Sequence, residues 1–267
     1  MAGPFTDPTY LAYQYDDSEK LRIRIETHRL YTEGEDDFAS VELRHVDPRP
    51  GLLALDVGCG PGRLAVTLRD HGVGYVGLDR SAGLLREARE KSGGRYVRGD
   101  AHALPIADAR FDRVLAMNAL YHVADWKQTL REMRRVTRPG GRIVASTNGA
   151  GAMRRIHDVH REAALELGYV PLPFTGSSFN LGHLAEVRAI FPSVVRHVIE
   201  SALVFPDAEP ALRFYATNRI DMVEGWAESA SHRARLLPLV RSKIDAIIER
   251  EGALRVPKSY GYFVANV

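Results

Sequence analysis

The sequence predicts an α/β fold built on a parallel sheet, and two observations carry that prediction. From Leu52 onward, short apolar runs alternate with stretches of helical periodicity, as in successive strand–helix units. A glycine-rich segment at 58–62 separates the first apolar run from the first helical stretch, where such folds turn sharply. The 267 residues are enough for one domain of this class with insertions. We therefore expect a single domain over residues 1–267.

We predict the elements in chain order from periodicity and from helix and strand breakers. Residues 10–33 carry one or two amphipathic helices. Five strands follow at 52–57, 75–79, 96–99, 113–117 and 142–147, with helices between them at 62–71, 81–91 and 126–135. Arg138-Pro139-Gly140-Gly141 is expected to interrupt regular secondary structure between the preceding helix and the fifth strand. The last elements are a helix near 181–191, an extended run at 194–205, helical stretches within 209–251 and a strand around 260–267.

Charge and cysteine content restrict the partners and the compartment. The 36 Lys and Arg residues nearly balance the 34 Asp and Glu residues, and a net charge of +2 gives no field that would gather nucleic acid or a membrane surface. The single cysteine, Cys59, excludes an intramolecular disulfide. The N-terminus has acidic residues and no apolar run, so we expect no signal peptide, and no segment reaches the ~18 apolar residues of a spanning helix. The expected location is the cytoplasm.

The glycine-rich segment predicts a ligand cradle. A buried strand ends at Val57 and runs into Gly58-Cys59-Gly60-Pro61-Gly62, and a helix follows. Glycines let the backbone turn and approach a ligand without a Cβ, and free amides at a helix start favour a polar or anionic group. A dinucleotide fingerprint has its third glycine one position later than Gly62, which argues against NAD. A tight turn without a ligand is the open alternative.

Two carboxylates stand at the ends of the next two strands. Asp79 ends the second strand beside the glycine loop, where it can accept two ribose hydroxyls, and Ser81 is the better N-cap for the following helix. Asp100 follows the third strand and offers an acceptor for the exocyclic amine of a base, with the initiation of a turn as its alternative role. Loops that follow successive parallel strands meet at one edge of the sheet. Together these residues predict an adenosine site.

The ordered motifs resemble those of class I S-adenosylmethionine-dependent methyltransferases, in the branch that holds ubiquinone- and menaquinone-type and other small-molecule enzymes. The resemblance rests on segments 55–62, 76–79, 99–105, 111–112 and 138–141 and covers residues 52–147. It implies a Rossmann-like, doubly wound, mostly parallel sheet of seven strands with one antiparallel strand and a helical insertion before the last strand. It also implies an N-terminal helical lid at 1–45, a cofactor-binding core at 46–150, and substrate-side helices with the last two strands at 151–267.

The resemblance further implies S-adenosyl-L-methionine as cofactor and S-adenosyl-L-homocysteine as product. The implied contacts are Asp56 before the glycine loop, Gly58, Gly60 and Asn118 at the methionine end, Asp79 at the ribose, and Arg80, Asp100 and Ala101 at the adenine. In the N-terminal segment, Arg24, His28 and Tyr31 share one helical face. Arg24 is a candidate partner of the cofactor carboxylate, and Tyr15 is a further candidate contact. An amphipathic helix packed on the sheet is the open alternative for this segment.

The loop after the fourth strand holds the candidate catalytic residues, since this class turns that loop towards its substrate. It reads Asn118-Ala119-Leu120-Tyr121-His122, and His122 is the candidate general base with Tyr121 beside it. A histidine titrates close to working pH and can take a proton from an acceptor. A structural histidine bonded to backbone is the alternative. His157 and His160 lie one helical turn apart without further ligands, so we expect surface histidines and no metal site.

The sequence predicts an enzyme that moves a methyl group to nitrogen, oxygen or carbon of a small organic acceptor, with a secondary metabolite as one candidate. Aromatic residues of the C-terminal part are expected to shape an apolar pocket: Phe174, Phe179, Phe214, Tyr215 and Trp226. We expect a monomer or homodimer without nucleic-acid or membrane partners. Three other functions stay open: a non-catalytic S-adenosylmethionine-binding protein, an NAD-dependent oxidoreductase, and RNA methylation, which the lack of an appended basic domain disfavours.

Overall fold

A seven-stranded sheet forms the centre of the computed structural model, which describes residues 8–15, 19–34, 38–174, 178–227 and 230–267. Its strands are β1 (Leu53–Val57), β2 (Gly74–Asp79), β3 (Arg95–Arg98), β4 (Phe111–Met117), β5 (Thr137–Asn148), β6 (Val195–Phe205) and β7 (Leu254–Asn266). They lie in the order β3-β2-β1-β4-β5-β7-β6. β7 runs antiparallel to both neighbours and the other pairs are parallel, which confirms the predicted sheet with one antiparallel strand.

Helices cover both faces of the sheet and its carboxyl edge. They are α1 (Pro8–Tyr15), α2 (Glu19–Tyr31), α3 (Phe38–Val46), α4 (Ala65–Asp70), α5 (Ala82–Ser92), α6 (Trp126–Val136), α7 (Arg154–Glu166), α8 (Leu184–Ile190), α9 (Ala208–Tyr215) and α10 (Ser231–Glu251). Short 3₁₀ turns occupy Leu120–His122 and Arg219–Asp221. α9 and α10 form the predicted insertion before β7. Within the described ranges, no helix combines the length and the apolar character needed to cross a bilayer.

The central strands are buried on both faces, which explains why they read as continuous apolar runs. Val114 and Ala116 of β4 pack with residues of α6 and α8 on one face, and Leu115 packs with residues of α3, α4 and α5 on the other. A further apolar cluster joins α7, α9 and α10 to the ends of β6 and β7, where Leu203 and Val256 lie. The insertion therefore has a core of its own beside the carboxyl edge of the sheet.

The N-terminal segment is attached to the edge strand of the sheet. After α2 ends, Thr32 forms a backbone bridge with Leu203 of β6. The next residue, Glu33, donates its N–H to Ala202 O at 2.8 Å. Since β6 is the last strand in the sheet order, these bonds fix α2 next to the part of β6 and β7 that extends past β5.

Two helix starts at the carboxyl edge are set by single residues. α4 begins at Ala65 and not at Gly62 as predicted, because Gly62 has a φ of 74°, outside the helical region. Ser81 caps α5 as predicted, since its Oγ accepts from Leu84 N at 3.2 Å. The cap leaves the carboxylate of Asp79 available for other contacts.

The predicted breaker at 138–141 is an irregularity within β5 and does not precede the strand: Gly140 has a φ of 78°, and the pairing with β4 shifts register between Phe111–Thr137 and Arg113–Arg142. β5 runs through this segment, because Gly140 N donates to Val267 O at 2.6 Å and Val267 N donates to Gly141 O at 2.9 Å. Val267 therefore supplies bonds that hold this bulged Pro-Gly-Gly segment in the sheet. β7 likewise begins at Leu254, well before the predicted start near residue 260.

Two helices, α3 and α7, are not among the predicted elements. Each buries a few apolar side chains between polar and charged ones, such as Val41 and Val46 in α3 and Ile156 and Val159 in α7. Helices of this kind are stabilised mostly by tertiary packing. α3 packs on the sheet with the core cluster that contains Leu68 and Leu115.

Candidate functional site

Four loops come together at the carboxyl edge of the parallel strands. Parallel pairing places the ends of β1 to β4 side by side, at Val57, Asp79, Arg98 and Met117. The glycine loop reaches over β2, because the N–H groups of Gly58 and Cys59 both donate to Leu78 O, at 2.7 and 3.0 Å. The predicted cofactor residues between 58 and 118 therefore share one edge of the sheet.

Gly58 and Gly60 differ in what surrounds them. Both have positive φ, 72° and 53°, a backbone conformation that residues other than glycine rarely adopt. A Cβ on Gly58 would lie 2.5 Å from Ala119 Cβ, so Gly58 lets the glycine loop touch the loop after β4. A Cβ on Gly60 would meet no described atom within 4 Å. Gly60 therefore borders open space at the sheet edge, which is where a ligand can approach the backbone.

Asp79 ties the glycine loop to the start of α5. Its Oδ2 accepts from Gly60 N and its Oδ1 accepts from Ser81 N, both at 2.9 Å. Burial raises the pKa of Asp79, and the backbone N–H groups that it accepts from act in the opposite direction. A carboxylate has about four lone-pair sites, so these two bonds leave capacity for further donors. Sequence analysis predicted the position of Asp79 but not its hold on Gly60.

Asp56 lies beneath the glycine loop with one oxygen unsatisfied. Its side chain is 3% exposed, and Oδ2 accepts from Tyr75 Oη at 2.9 Å. Oδ1 is buried and has no hydrogen-bond partner among the described residues. Burial raises the pKa of Asp56 to about 7. Because an unpaired buried carboxylate oxygen is costly, this atom is suited to a cationic or hydrogen-bond-donating ligand group.

The loop after β3 adopts the turn that Asp100 was expected to initiate as its alternative role. Asp100 Oδ1 accepts from His102 N at 2.9 Å and pairs with His102 Nδ1 at 2.8 Å. Asp125 N donates to His102 Nε2 at 3.1 Å, so the ring carries its proton on Nδ1. The His102 N–H holds the pKa of Asp100 below its usual value. Ala101 is half-buried, while Asp100 and Arg80 are exposed at the same edge.

Asn118 turns the chain sharply at the end of β4. It has a φ of 55°, and its N–H lies 2.9 Å from Ser146 Oγ and 3.2 Å from Ser146 O. Non-glycine residues held in this region often mark functional turns. Leu120 is completely buried and anchors the 3₁₀ turn that follows.

Tyr121 and His122 lie next to the glycine loop. Their rings are 4.4 Å apart and nearly perpendicular, and both side chains are half-buried. Tyr121 O accepts from Ser178 Oγ at 2.8 Å. Since Ala119 lies against Gly58, the two candidate catalytic residues and the predicted cofactor cradle are in one place.

The residues of the predicted N-terminal face have different surroundings. Arg24 donates from Nη1 to Gln14 Oε1 of α1 at 3.0 Å, whereas the ring of Tyr31 packs 5.2 Å from that of Phe205 in the insertion core. Tyr31 therefore follows the alternative interpretation, in which the aromatic residue packs in the interior. Tyr15 ends α1, and its side chain lies outside the described part of the chain.

The expected apolar pocket is wrong for at least two of its residues. Phe179 and Tyr215 are completely buried. Phe179 packs 5.0 Å from the ring of Trp126 in the main core, and Tyr215 belongs to the insertion core. Both hold the fold together and leave no surface for a substrate.

His157 and His160 are also interior residues and not surface ones as predicted. They are 3% and 0% exposed. His160 bonds Tyr215 Oη at 2.7 Å and Met222 O at 3.0 Å, which satisfies both ring nitrogens. Among the described residues, no group of three or more His, Cys, Asp or Glu side chains is placed to hold a metal ion.

One buried charge beyond the end of β5 was not among the predicted residues. Lys258 of β7 is 7% exposed and contacts α2. A signal for it exists in the sequence, because Leu254, Val256, Tyr260 and Tyr262 share its alternating register and are all buried. A lysine inside such a series is a candidate functional residue.

Comparison with known proteins finds a family match for the central part of the chain. Residues 55–145 match the family described as a methyltransferase domain. The malonyl-[acyl-carrier protein] O-methyltransferase of Erwinia pyrifoliae is 35% identical over 176 residues, 64% of this chain and 63% of that protein. The demethylmenaquinone methyltransferase of Corynebacterium efficiens is 28% identical over 224 residues, 83% of this chain and 87% of that protein. The chain spans 48% and 63% of the length of two malonyl-[acyl-carrier protein] O-methyltransferases that it matches.

A solved structure shares the fold over most of its length. The YcgJ protein of Bacillus subtilis has a TM-score of 0.55 and 17% sequence identity, and the likeness covers 85% of this chain and 96% of that one. At this identity the likeness concerns the arrangement of helices and strands alone.

Proposed function

We propose that this chain transfers the methyl group of S-adenosylmethionine to a small organic acceptor, because residues 55–145 match a methyltransferase-domain family and two curated relatives are methyltransferases. The observation that carries the proposal is the meeting of the glycine loop, Asp79 and the 118–122 loop at one sheet edge. S-Adenosylhomocysteine is the product on the cofactor side. A metabolite acceptor in the cytoplasm, and the absence of nucleic-acid and membrane partners, belong to the same proposal.

The residues at the edge fit the parts of the cofactor. The open space beside Gly60 and the unpaired Oδ1 of Asp56 suit the methionine end, whose ammonium group donates hydrogen bonds. Asp79 has lone pairs left for ribose hydroxyls, and the loop after β3 offers Asp100 and Ala101 to the adenine. Further proposed contacts are Gly58, Arg80, Asn118, Arg24 and Tyr15.

The chemistry asks mainly for alignment. When bound, the cofactor supplies an electrophilic methyl group on a sulfonium. In-line transfer breaks the bond from sulfur to methyl as the bond from methyl to the acceptor nitrogen, oxygen or carbon forms, and a protic acceptor gives up its proton. We assign that proton to His122, with Tyr121 beside it to orient the acceptor. The protein otherwise positions the acceptor and excludes water.

The parts of the chain divide this work. We propose that residues 46–150 bind the cofactor and that 151–267 supply the acceptor side. For the lid, α1 and α2 fit the role better than the whole of 1–45, because α3 packs on the sheet face through Val41 and Val46.

A cofactor titration followed by an acceptor panel tests the proposal. The full chain is titrated calorimetrically with S-adenosylhomocysteine and with NAD, and then incubated with S-adenosylmethionine and a panel of phenols, amines and carboxylic acids. We expect saturable binding of S-adenosylhomocysteine, none of NAD, and release of S-adenosylhomocysteine with at least one class of acceptor. Binding without turnover on any acceptor would favour the non-catalytic protein, and binding of NAD would favour the oxidoreductase.

His122→Ala is expected to separate catalysis from cofactor binding. Removing a general base lowers turnover by ~10²-fold, while the dissociation constant for S-adenosylhomocysteine stays as in the wild type. The measurements are kcat with the acceptor that the panel identifies, and calorimetry. His71→Ala is the matched control, because His71 is an exposed histidine whose Nδ1 bonds Thr67 O, outside the loops of the site. Parallel losses of turnover and cofactor affinity in His122→Ala would point to a structural role.

Asp56→Asn is expected to remove a pH dependence of cofactor binding. The folded pKa of about 7 lies above the ~3.9 of an exposed aspartate, so the apo protein takes up a proton on folding between these values. Stability of the apo protein therefore falls as pH rises through this window. The ammonium of the cofactor favours the ionised carboxylate, so affinity rises with pH up to about 7, by about tenfold per pH unit below the pKa.

Calorimetry with S-adenosylhomocysteine from pH 5.5 to 7.5 measures the effect. We expect the slope in the wild type and in the control Asp70→Asn, an exposed aspartate at the end of α4, and a flat profile in Asp56→Asn. A flat profile in the wild type contradicts the contact between Asp56 and the ammonium group.

A further inference from the structure

Lys258 lies where the lid meets the carboxyl edge of the sheet. β7 pairs with β5 up to Tyr260, which is opposite Asn148, the last residue of β5. Lys258 is two residues further along the same face of β7, about 7 Å past the end of β5 at the usual rise of a strand. Its Nζ lies 5.5 Å from the centre of the Tyr260 ring. On β5, Ser146 holds the N–H of Asn118 and pairs with Tyr262, so Lys258 lies four residues further along β7, about 13 Å beyond this pair at the usual rise of a strand, towards the carboxyl edge.

The ammonium group is buried among neutral partners. The residue is 7% exposed, and Nζ donates to Thr32 Oγ1 at 2.8 Å and to His28 Nδ1 at 3.0 Å. Lys258 forms no ion pair with a described carboxylate. An ammonium group has three hydrogens, so one remains after these two bonds. Burial alone lowers the pKa of Lys258 to about 8, which leaves it mostly charged at neutral pH.

His28 is held in the form that accepts this bond. Burial lowers its pKa to about 3, and the charges of Lys258 and then Arg24 contribute in the same direction. The ring is therefore neutral at pH 7, with Nδ1 unprotonated towards Lys258 and the proton on Nε2. Arg24 stands one helical turn before His28 on α2 and adds a second positive charge to this side of the lid.

The Tyr260 ring, whose face Nζ approaches, and the two neutral acceptors compensate the buried charge only in part, because none of them carries a negative charge. A tie between α2 and β7 needs no charge, since a neutral donor serves Thr32 and His28 as well. A charged ammonium with a hydrogen to spare becomes favourable when an anion joins it, because the pair then replaces lost hydration. The position beside the acceptor side of the site indicates which molecule brings that anion.

We propose that Lys258, oriented by His28 and Thr32, binds an anionic group of the methyl acceptor, a carboxylate or a phosphate, and thereby selects acidic acceptors. This inference rests on the proposed methyltransferase function. It names the class of the acceptor and assigns recognition to the junction of lid and sheet.

Matched aromatic probes test this preference on the full chain saturated with S-adenosylhomocysteine. Benzoate, phenyl phosphate and the neutral benzamide are titrated by calorimetry or by NMR. We expect at least one anion to bind about tenfold or more tightly than benzamide, and the tighter anion identifies carboxylate or phosphate as the group recognised. In Lys258→Gln the preference is lost, and in Lys258→Arg it persists. Lys243→Gln is the control, because Lys243 is paired with Glu166 on the outer helices and is expected to keep the preference.

A readout on wild-type protein guards against a folding defect in the variants. The Cε resonance of Lys258 reports its pKa, which is expected to rise when an anion binds and to stay unchanged with benzamide. A lysine that only ties the lid to β7 gives no such response. Equal binding of benzamide and the anions, an unchanged preference in Lys258→Gln, or a Lys258 pKa that no anion moves would each overturn the proposal.

Failure of the proposed function is recognised separately. A chain that binds no S-adenosylhomocysteine fails the methyltransferase proposal before any probe is added. The anion titrations are then run on the cofactor-free chain. There, loss of the preference for anions over benzamide in Lys258→Gln still supports an anion site, and equal binding of all probes still overturns the proposal.

Discussion

Gly60→Ala is expected to weaken binding of S-adenosylhomocysteine by about 100-fold or more, which corresponds to about 2.7 kcal/mol. The new methyl group meets no described protein atom within 4 Å, so any loss of affinity comes from the ligand that the methyl group displaces or from backbone strain. The backbone N–H that bonds Asp79 is kept.

Gly93→Ala separates the two causes. Gly93 has a φ of 62°, close to the 53° of Gly60, and it also has open space where a Cβ would lie. It ends α5 as a left-handed cap, away from the loops of the site. Both alanine variants therefore carry a similar strain of about 1–2 kcal/mol in stability, measurable by urea unfolding. In calorimetry we expect only Gly60→Ala to lose affinity for S-adenosylhomocysteine. Similar affinities for both variants would show that the ligand does not occupy the space beside Gly60.

Asp79→Ala is expected to weaken the same binding by about 1–3 kcal/mol through the lost ribose contacts, the scale of an unsatisfied polar partner. A further loss follows from the glycine loop, because Asp79 also holds Gly60 N and Ser81 N. Measured affinity alone mixes these two effects. S-Adenosylhomocysteine analogues that lack the 2′- or 3′-hydroxyl resolve them.

A double-mutant cycle that combines Asp79→Ala with removal of a ribose hydroxyl gives the free energy of the direct contact. In the wild type, removal of a hydroxyl should lower affinity, and in Asp79→Ala the same removal should change little, because the partner is already gone. Asp112→Ala is the control, since Asp112 bonds Leu53 N and Arg138 near the opposite ends of the strands. If removal of the hydroxyl weakens binding to Asp79→Ala as much as binding to the wild type, another residue binds the ribose.

The parts of the fold that sequence reasoning predicts are those decided locally. The buried strands β1, β2 and β4 read as apolar runs because both of their faces are covered, and Ser81 identifies the start of α5 by its side chain. The site loops follow from the same pattern, since the ends of parallel strands meet at one edge. For this reason Gly58, Asp79 and Asn118 are found at one edge without knowledge of the rest of the structure.

The features that sequence reasoning did not predict depend on contacts with distant parts of the chain. Gly140 and Gly141 stay within β5 because Val267 bonds them, and no local signal in a Pro-Gly-Gly sequence indicates that partner. Phe179 and Tyr215 look like candidates for a pocket, and their burial depends on which helices pack over them. For Lys258, the sequence indicates its position among alternating buried residues of β7, but it does not indicate that His28 and Thr32 are its partners.

The pairing of Thr32 and Glu33 with β6 has a consequence for solubility. β6 is one of the two edge strands, and its unpaired N–H and C=O groups would otherwise offer a template for another chain. The bridge from Thr32 to Leu203 and the bond from Glu33 to Ala202 occupy part of that edge. The segment that we propose as a lid thus also protects the sheet edge against self-association, so a redesign that alters α2 and its connection to β6 changes both roles together.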